Sequence, residues 1–213
     1  MQQLIQGVHK FRHDQFGNYR KLFRKLSQEG QNPHTLFITC CDSRVLAELI
    51  TQSKPGDLFV VKNIGNIVPP SNAVGSTNST AAAIEFAVEV LRVSDIVVCG
   101  HSQCGAISAL LGETSIGNNM PHLREWLNLA GPVREVVQKE YAQLKTAEER
   151  SNAAAEENVL FALDNLHSYQ CVQERLANES LRLHGWFFQI ATAELFAYDP
   201  ESRQFQPIGE TKG

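Results

Sequence analysis

The sequence predicts an α/β fold: a mostly parallel central sheet with helices on both faces, an N-terminal helical arm, and C-terminal helices followed by an edge strand. Three observations carry this. Short apolar, β-branched runs alternate with stretches of helical spacing, the pattern of strand–helix–strand crossovers in a parallel sheet. Two of those runs end at clusters of chemically able residues, around Cys40 and His101, and open parallel sheets place ligands beyond the carboxyl ends of their strands. The 213 residues are 43% apolar and 20% charged, ordinary values for a globular domain with a full core. No repeat or linker divides them, so 1–213 reads as a single domain with 1–30 as its arm.

Within the arm, Leu4, Ile5, Val8 and Phe11, then Leu22, Phe23 and Leu26, recur at helical spacing, with a break expected around Gly17-Asn18. Thr35–Cys40 is an apolar, β-branched run that reads as a buried strand, and Asp57–Lys62 reads as a second strand. Ala83, Ile84, Ala87, Val88 and Leu91 mark a helix, with Ser79 or Thr80 as its expected cap. Ile96–Gly100 reads as a third strand ending directly before His101, and a helix is expected from near Cys104 to Leu111. Two helical stretches follow, over 121–144 and 147–178, then two strands, Leu183–Ile190 and Glu194–Tyr198.

Composition removes several function classes. The formal net charge is -4, with no block of like charges, which argues against nucleic acid as a partner. No apolar run approaches the ~20 residues that span a bilayer, and the N-terminus lacks a basic region followed by an apolar core, so no secretory signal is read there. Five cysteines are an odd number without the spacing of a disulfide framework. They fit a reducing interior, with cysteines used for metal or packing, and a cytoplasmic location.

Cys40-Cys41-Asp42-Ser43-Arg44 and His101-Ser102-Gln103-Cys104 offer two thiolates and one imidazole, a set that suits tetrahedral zinc. Three strong ligands rather than four leave one position open, as in a catalytic site. In an extended segment, residues i, i+2 and i+4 share a face. Cys40, Asp42 and Arg44 would then lie together, with Cys41 turned away as a poor ligand, and Arg44 would hold Asp42 ionised beside the metal. If the first and third strands are neighbours, the 60-residue gap between Cys40 and His101 is no obstacle to joint ligation.

These two segments resemble the β-class carbonic anhydrases, whose Cys-x-Asp-x-Arg and His-x-x-Cys-Gly patterns are matched in full by Cys40–Arg44 and His101–Gly105. Gln31-Asn32-Pro33, Phe59–Asn66, Ala82–Val88 and Ile96–Gly100 also read as family segments. Within the family, Met1–Arg12 and Leu183–Trp186 look most like the carboxysomal enzymes of photosynthetic bacteria, which typically carry a C-terminal extension not seen here. The resemblance implies one zinc per chain, held by Cys40, His101 and Cys104, and reversible hydration of carbon dioxide to bicarbonate by zinc-bound hydroxide. Asp42 and Arg44 would form a catalytic dyad. Gln31 and the Gly105 backbone N–H would donate to substrate, and Phe59 and Ile64 would form an apolar wall. Part of that wall would come from the neighbouring subunit of a homodimer or higher oligomer. In a closed state Asp42 would leave Arg44 and become a fourth zinc ligand. A carboxysome shell or scaffold protein is the further partner implied. One branch of the family binds inhibitory bicarbonate through a Trp and an Arg at positions that here hold Phe37 and Lys62. The competing readings are hydrolysis of carbon disulfide or carbonyl sulfide at the same site, and a non-catalytic zinc-containing recruitment module.

Overall fold

The computed structural model describes residues 1–72, 78–117 and 119–209. The chain opens with helix α1 (Gln2–Lys10), passes through a π-helical turn at Phe11–Gln15 and continues as helix α2 (Phe16–Glu29). The expected break at Gly17-Asn18 is absent. Gly17 lies inside α2, where one glycine costs a helix only ~1 kcal/mol relative to alanine, and the irregularity falls in the π turn instead. Neither α1 nor α2 buries a residue in its own chain.

Six strands form one mixed sheet: β1 (Thr35–Cys40), β2 (Leu58–Asn63), β3 (Asp95–His101), β4 (Arg182–Gln189), β5 (Glu194–Asp199) and β6 (Gln204–Pro207). Their order is β2-β1-β3-β4-β5-β6. The pairs among β2, β1, β3 and β4 are parallel, and β5 and β6 add antiparallel to one side. The chain winds from β1 outward to β2, then returns to β3 and winds the other way to β4. The switch therefore lies between β1 and β3, whose carboxyl ends carry Cys40 and His101, where such sheets hold their ligands.

Alternation along the strands divides the core. Leu36, Ile38, Ile96 and Val98 face one side and pack with Val159, Ala162 and Leu166. These come from helix α8 (Ala147–Leu166). Phe37, Val97 and Cys99 face the other side and pack with Ala47 and Ile50 of the short helix α3 (Ala47–Thr51). Gly100 permits the close approach of α8, because a Cβ there would sit 2.9 Å from Val159 Cγ2 and 3.1 Å from the Ala155 carbonyl oxygen.

The remaining elements refine the sequence reading. Helix α4 (Ser79–Glu85) runs into a π turn at Phe86–Val90. Its cap is Asn78, not Ser79 or Thr80. Asn78 Oδ1 accepts from Thr80 N and Ala81 N, and Thr80 is buried within the first turn. Helix α5 (Gly105–Leu110) begins directly after Cys104. The expected helix over 121–144 is two, α6 (Pro121–Asn128) and α7 (Gly131–Glu140), because Pro132 cannot continue a preceding helix. The expected helix over 147–178 is likewise α8 and α9 (Gln170–Ala177), the chain turning at His167–Tyr169. There Tyr169 Oη donates to the Pro69 carbonyl.

Candidate metal centre

Cys40 is the last residue of β1, His101 the last of β3, and Cys104 the residue before α5. Their exposures are 5%, 0% and 1%. The potential ligand atoms of all three lie within 4.8 Å of one another. The two sulfurs are 3.9 Å apart, and sulfurs bound at about 2.3 Å in a tetrahedron would be about 3.8 Å apart. His101 Nδ1 lies 2.9 Å from the Ser102 carbonyl oxygen. A proton on Nδ1 donates there and leaves Nε2 with a lone pair. Nε2 is buried without a partner, as expected of a ligand nitrogen whose other ring nitrogen is anchored by a carbonyl. The donor set therefore fits zinc. A bond with Cys104, opposed by burial and helped by His101, holds the Cys40 thiol well below its ordinary pKa. The same bond, with burial, pushes Cys104 up.

Local geometry explains the convergence. Gln103 takes a left-handed φ of 54°, so the chain turns sharply between His101 and Cys104. Gln103 N donates to Asn152 Oδ1 of α8, tying that turn to the helix. On the opposite wall, Gly65 (φ 76°) donates its N–H to Cys40 Sγ at 3.4 Å. Its carbonyl accepts from Asn158 Nδ2, and the Ile64 carbonyl accepts from Trp126 Nε1. The sequence reading did not single out Asn158 or Trp126. Nothing in their spacing joins them to residues 64–65, more than sixty positions away.

Asp42 and Arg44 pair, but not by the expected extended geometry. The chain leaves the sheet after Cys40, whose register partner Asn63 ends β2, and turns. Val45 N donates to the Asp42 carbonyl and Arg44 N to Asp42 Oδ1. Arg44 Nε donates to Oδ1 at 2.9 Å and Nη2 to Oδ2 at 2.8 Å. This side-chain pairing with Arg44 drives the Asp42 carboxyl far below the usual carboxylate range. Oδ2 also lies 3.9 Å from His101 Nε2. Cys41 is exposed and stands outside the ligand cluster.

A cavity of ≈ 390 Å³ opens beside these groups, lined by Cys40, Cys41, Asp42, Ile64 and Gly105. Its further lining includes the apolar side chains of Ile116, Met120, Leu123 and Leu127, which the sequence reading did not assign. Gln31 and Phe59 do not line it. Gln31 is exposed between the arm and β1, and Phe59 packs on Phe86 at the sheet edge, ring centroids 5.9 Å apart.

Residues 35–195 match the family model described as carbonic anhydrase. The chain is 44% identical over 199 residues to a carbonic anhydrase of Synechocystis sp., covering 93% of this chain and 71% of that protein. It is 34% identical over 207 residues to one of Helicobacter pylori, covering 96% and 93%. Among solved structures it superposes on the β-carbonic anhydrase CcaA with a TM-score of 0.92, at 42% identity and covering 97% and 98% of the two chains. It superposes on a tetrameric β-carbonic anhydrase of Sordaria macrospora with a TM-score of 0.71, at 32% identity and covering 89% and 96%.

Proposed function

This chain belongs to the β-class carbonic anhydrases, zinc enzymes that hydrate carbon dioxide reversibly, and we propose a role for each residue of its site. Cys40, His101 and Cys104 hold the metal. Zinc there supplies Lewis acidity, bringing the pKa of a water ligand from ~15.7 down to ~7. Asp42 accepts a hydrogen bond from the attacking oxygen and so turns a lone pair toward the substrate carbon. Arg44 keeps Asp42 ionised and fixed, since a planar fork suits two-point pairing with a carboxylate. Ile64 supplies an apolar wall for a small apolar substrate, and the Gly105 N–H donates to the substrate oxygen as negative charge grows on it.

Gln31 and Phe59 act at the site of a neighbouring subunit. Neither lines the cavity of its own chain, and the unburied arm adjoining Gln31 supports a homodimer as the smallest active unit. A cytoplasmic location rests on the five free cysteines, and no described helix is long and apolar enough to cross a membrane. Placement inside a carboxysome, with a shell or scaffold partner, rests on the resemblance of Met1–Arg12 and Leu183–Trp186 to carboxysomal enzymes.

The observation that carries the reading is the Arg44-held carboxylate of Asp42 beside the unpartnered His101 Nε2. Stopped-flow hydration of carbon dioxide by zinc-replete protein, with the D42N variant in parallel, tests it. Parent-level turnover in D42N would remove Asp42 from the mechanism.

A further inference from the structure

Lys62 is the penultimate residue of β2, on the outer edge of the sheet. It forms no ion pair among the described residues. Its ammonium instead donates to two main-chain carbonyls, that of Val45 at 2.7 Å and that of Asp42 at 3.2 Å. These carbonyls bracket the turn that carries Asp42 and Arg44. The next residue of β2 grips the start of the same turn, because the Asn63 carbonyl accepts from Cys41 N at 2.8 Å. A lysine ammonium offers three donors, and charged donors form bonds roughly twice as strong as neutral ones. Val45 is fully buried, so its carbonyl has a structural need for such a partner. Lys62 does not line the cavity beside the metal ligands and so does not touch substrate.

The turn has somewhere else to go. Asp42 Oδ2 is 3.9 Å from His101 Nε2, so a modest rearrangement of the turn would carry the carboxylate away from Arg44 and among the metal ligands. We propose that Lys62 is a positioning residue for the hydration reaction. By holding the Asp42 and Val45 carbonyls together it fixes the turn in the form that pairs Asp42 with Arg44. This rests on the roles given above to Asp42 and Arg44.

K62M keeps the length of the side chain and removes its three donors. In the zinc-loaded enzyme, kcat falls about tenfold, equivalent to about 1.4 kcal/mol in the barrier, with zinc content and KM for carbon dioxide within about twofold of the parent. Amide hydrogen exchange at Arg44 and Val45, both bonded within the turn, speeds up at least as much, while the amides of β1 keep their protection. Parent-level protection of Arg44 and Val45 overturns the proposal whatever the turnover. Lost protection with parent-level turnover overturns it at another point, and D42N then separates the causes. If D42N is also fast, the role given to Asp42 fails. If D42N is slow, the role given to Lys62 alone fails.

Discussion

Arg44 grips Asp42 through two parallel bonds, Nε to Oδ1 and Nη2 to Oδ2, while Oδ2 stands 3.9 Å from the unpartnered Nε2 of His101. The pair is thus made at the edge of the ligand cluster rather than inside it. Arg44 is anchored in turn, since Nη2 also donates to the Gln103 carbonyl in the turn between His101 and Cys104. D42N keeps the shape of the side chain but loses the charge that Arg44 holds and that, in the proposed mechanism, accepts from the attacking oxygen. Hydration falls by roughly 10²-fold or more, while metal analysis still finds one zinc per chain.

C104S tests the ligand set. The serine hydroxyl is a hard, weakly acidic donor and a far poorer zinc ligand than a thiolate. Zinc content falls well below one per chain and activity falls with it. Full zinc occupancy with near-normal turnover would show that Cys104 is not a ligand.

The parts of this site legible in the sequence were those that local pattern encodes. Thr35–Cys40 is a run of apolar and β-branched residues that can only be satisfied inside a sheet, and all six are buried. Its end therefore fixed where Cys40 stands, and Ile96–Gly100 did the same for His101. Features that depend on distant partners were not legible. Asn158 and Trp126 reach the carbonyls of Gly65 and Ile64 from helices whose sequences carry no sign of it. Asn78 was passed over as a cap because the hydroxyls after it are equally good candidates by type. Strand β6, Gln204–Pro207, offers one half-buried aromatic among polar residues, too little alternation to identify without the β5 strand it pairs with.

Glu156 gives a pH signature in stability. Burial, with the neighbouring Glu157 carboxylate, pushes its pKa from 4.5 up to about 7. Between those values the folded protein binds more protons than the unfolded chain, so stability decreases with rising pH. This contribution is fully present below pH 4.5 and is lost as pH rises through about 7. E156Q removes the dependence. With solvent screening of a partly exposed group taken into account, the gain is about 1 kcal/mol at pH 8. Chemical denaturation of parent and variant at pH 5 and pH 8 checks it, and an equal difference at the two pH values would contradict it.

The arm is unfinished as a monomer. Leu4, Ile5 and Val8 are 70%, 51% and 59% exposed, and Phe86 and Val90 on the body of the protein are 41% and 62% exposed. Apolar surfaces of this kind mark protein contacts. Light scattering of the active protein gives a mass of at least two chains. Replacing Leu4 and Val8 together with glutamate lowers both the mass and the activity if, as proposed, Gln31 and Phe59 act at the site of a neighbouring subunit. An active monomer would contradict both statements.

The residues at Phe37 and Lys62 predict that bicarbonate does not close the site cooperatively. The inhibited branch of the family holds the anion with an indole N–H and a guanidinium, and here those positions are Phe37 and Lys62. Phe37 is 1% exposed and packs edge-on against Trp186 at 5.8 Å, and its ring has no donor. The Lys62 ammonium is already committed to the Asp42 and Val45 carbonyls, and it lacks the planar fork that grips a carboxylate-like ligand at two points. The cavity beside Phe37 is lined by His34, Asp95, His184 and Trp186 but not by Lys62. Despite the opposing effect of burial, Arg182, Ser94 and His184 hold the Asp95 carboxyl far below the usual range. An anion entering there meets a carboxylate already bonded to Arg182 and His184. Initial rates near neutral pH, measured against added bicarbonate, therefore show a Hill coefficient of about 1. A steep, cooperative loss of activity, or bicarbonate bound beside Phe37 and Lys62 in a crystal, would show that the lysine gives up its carbonyls for the anion.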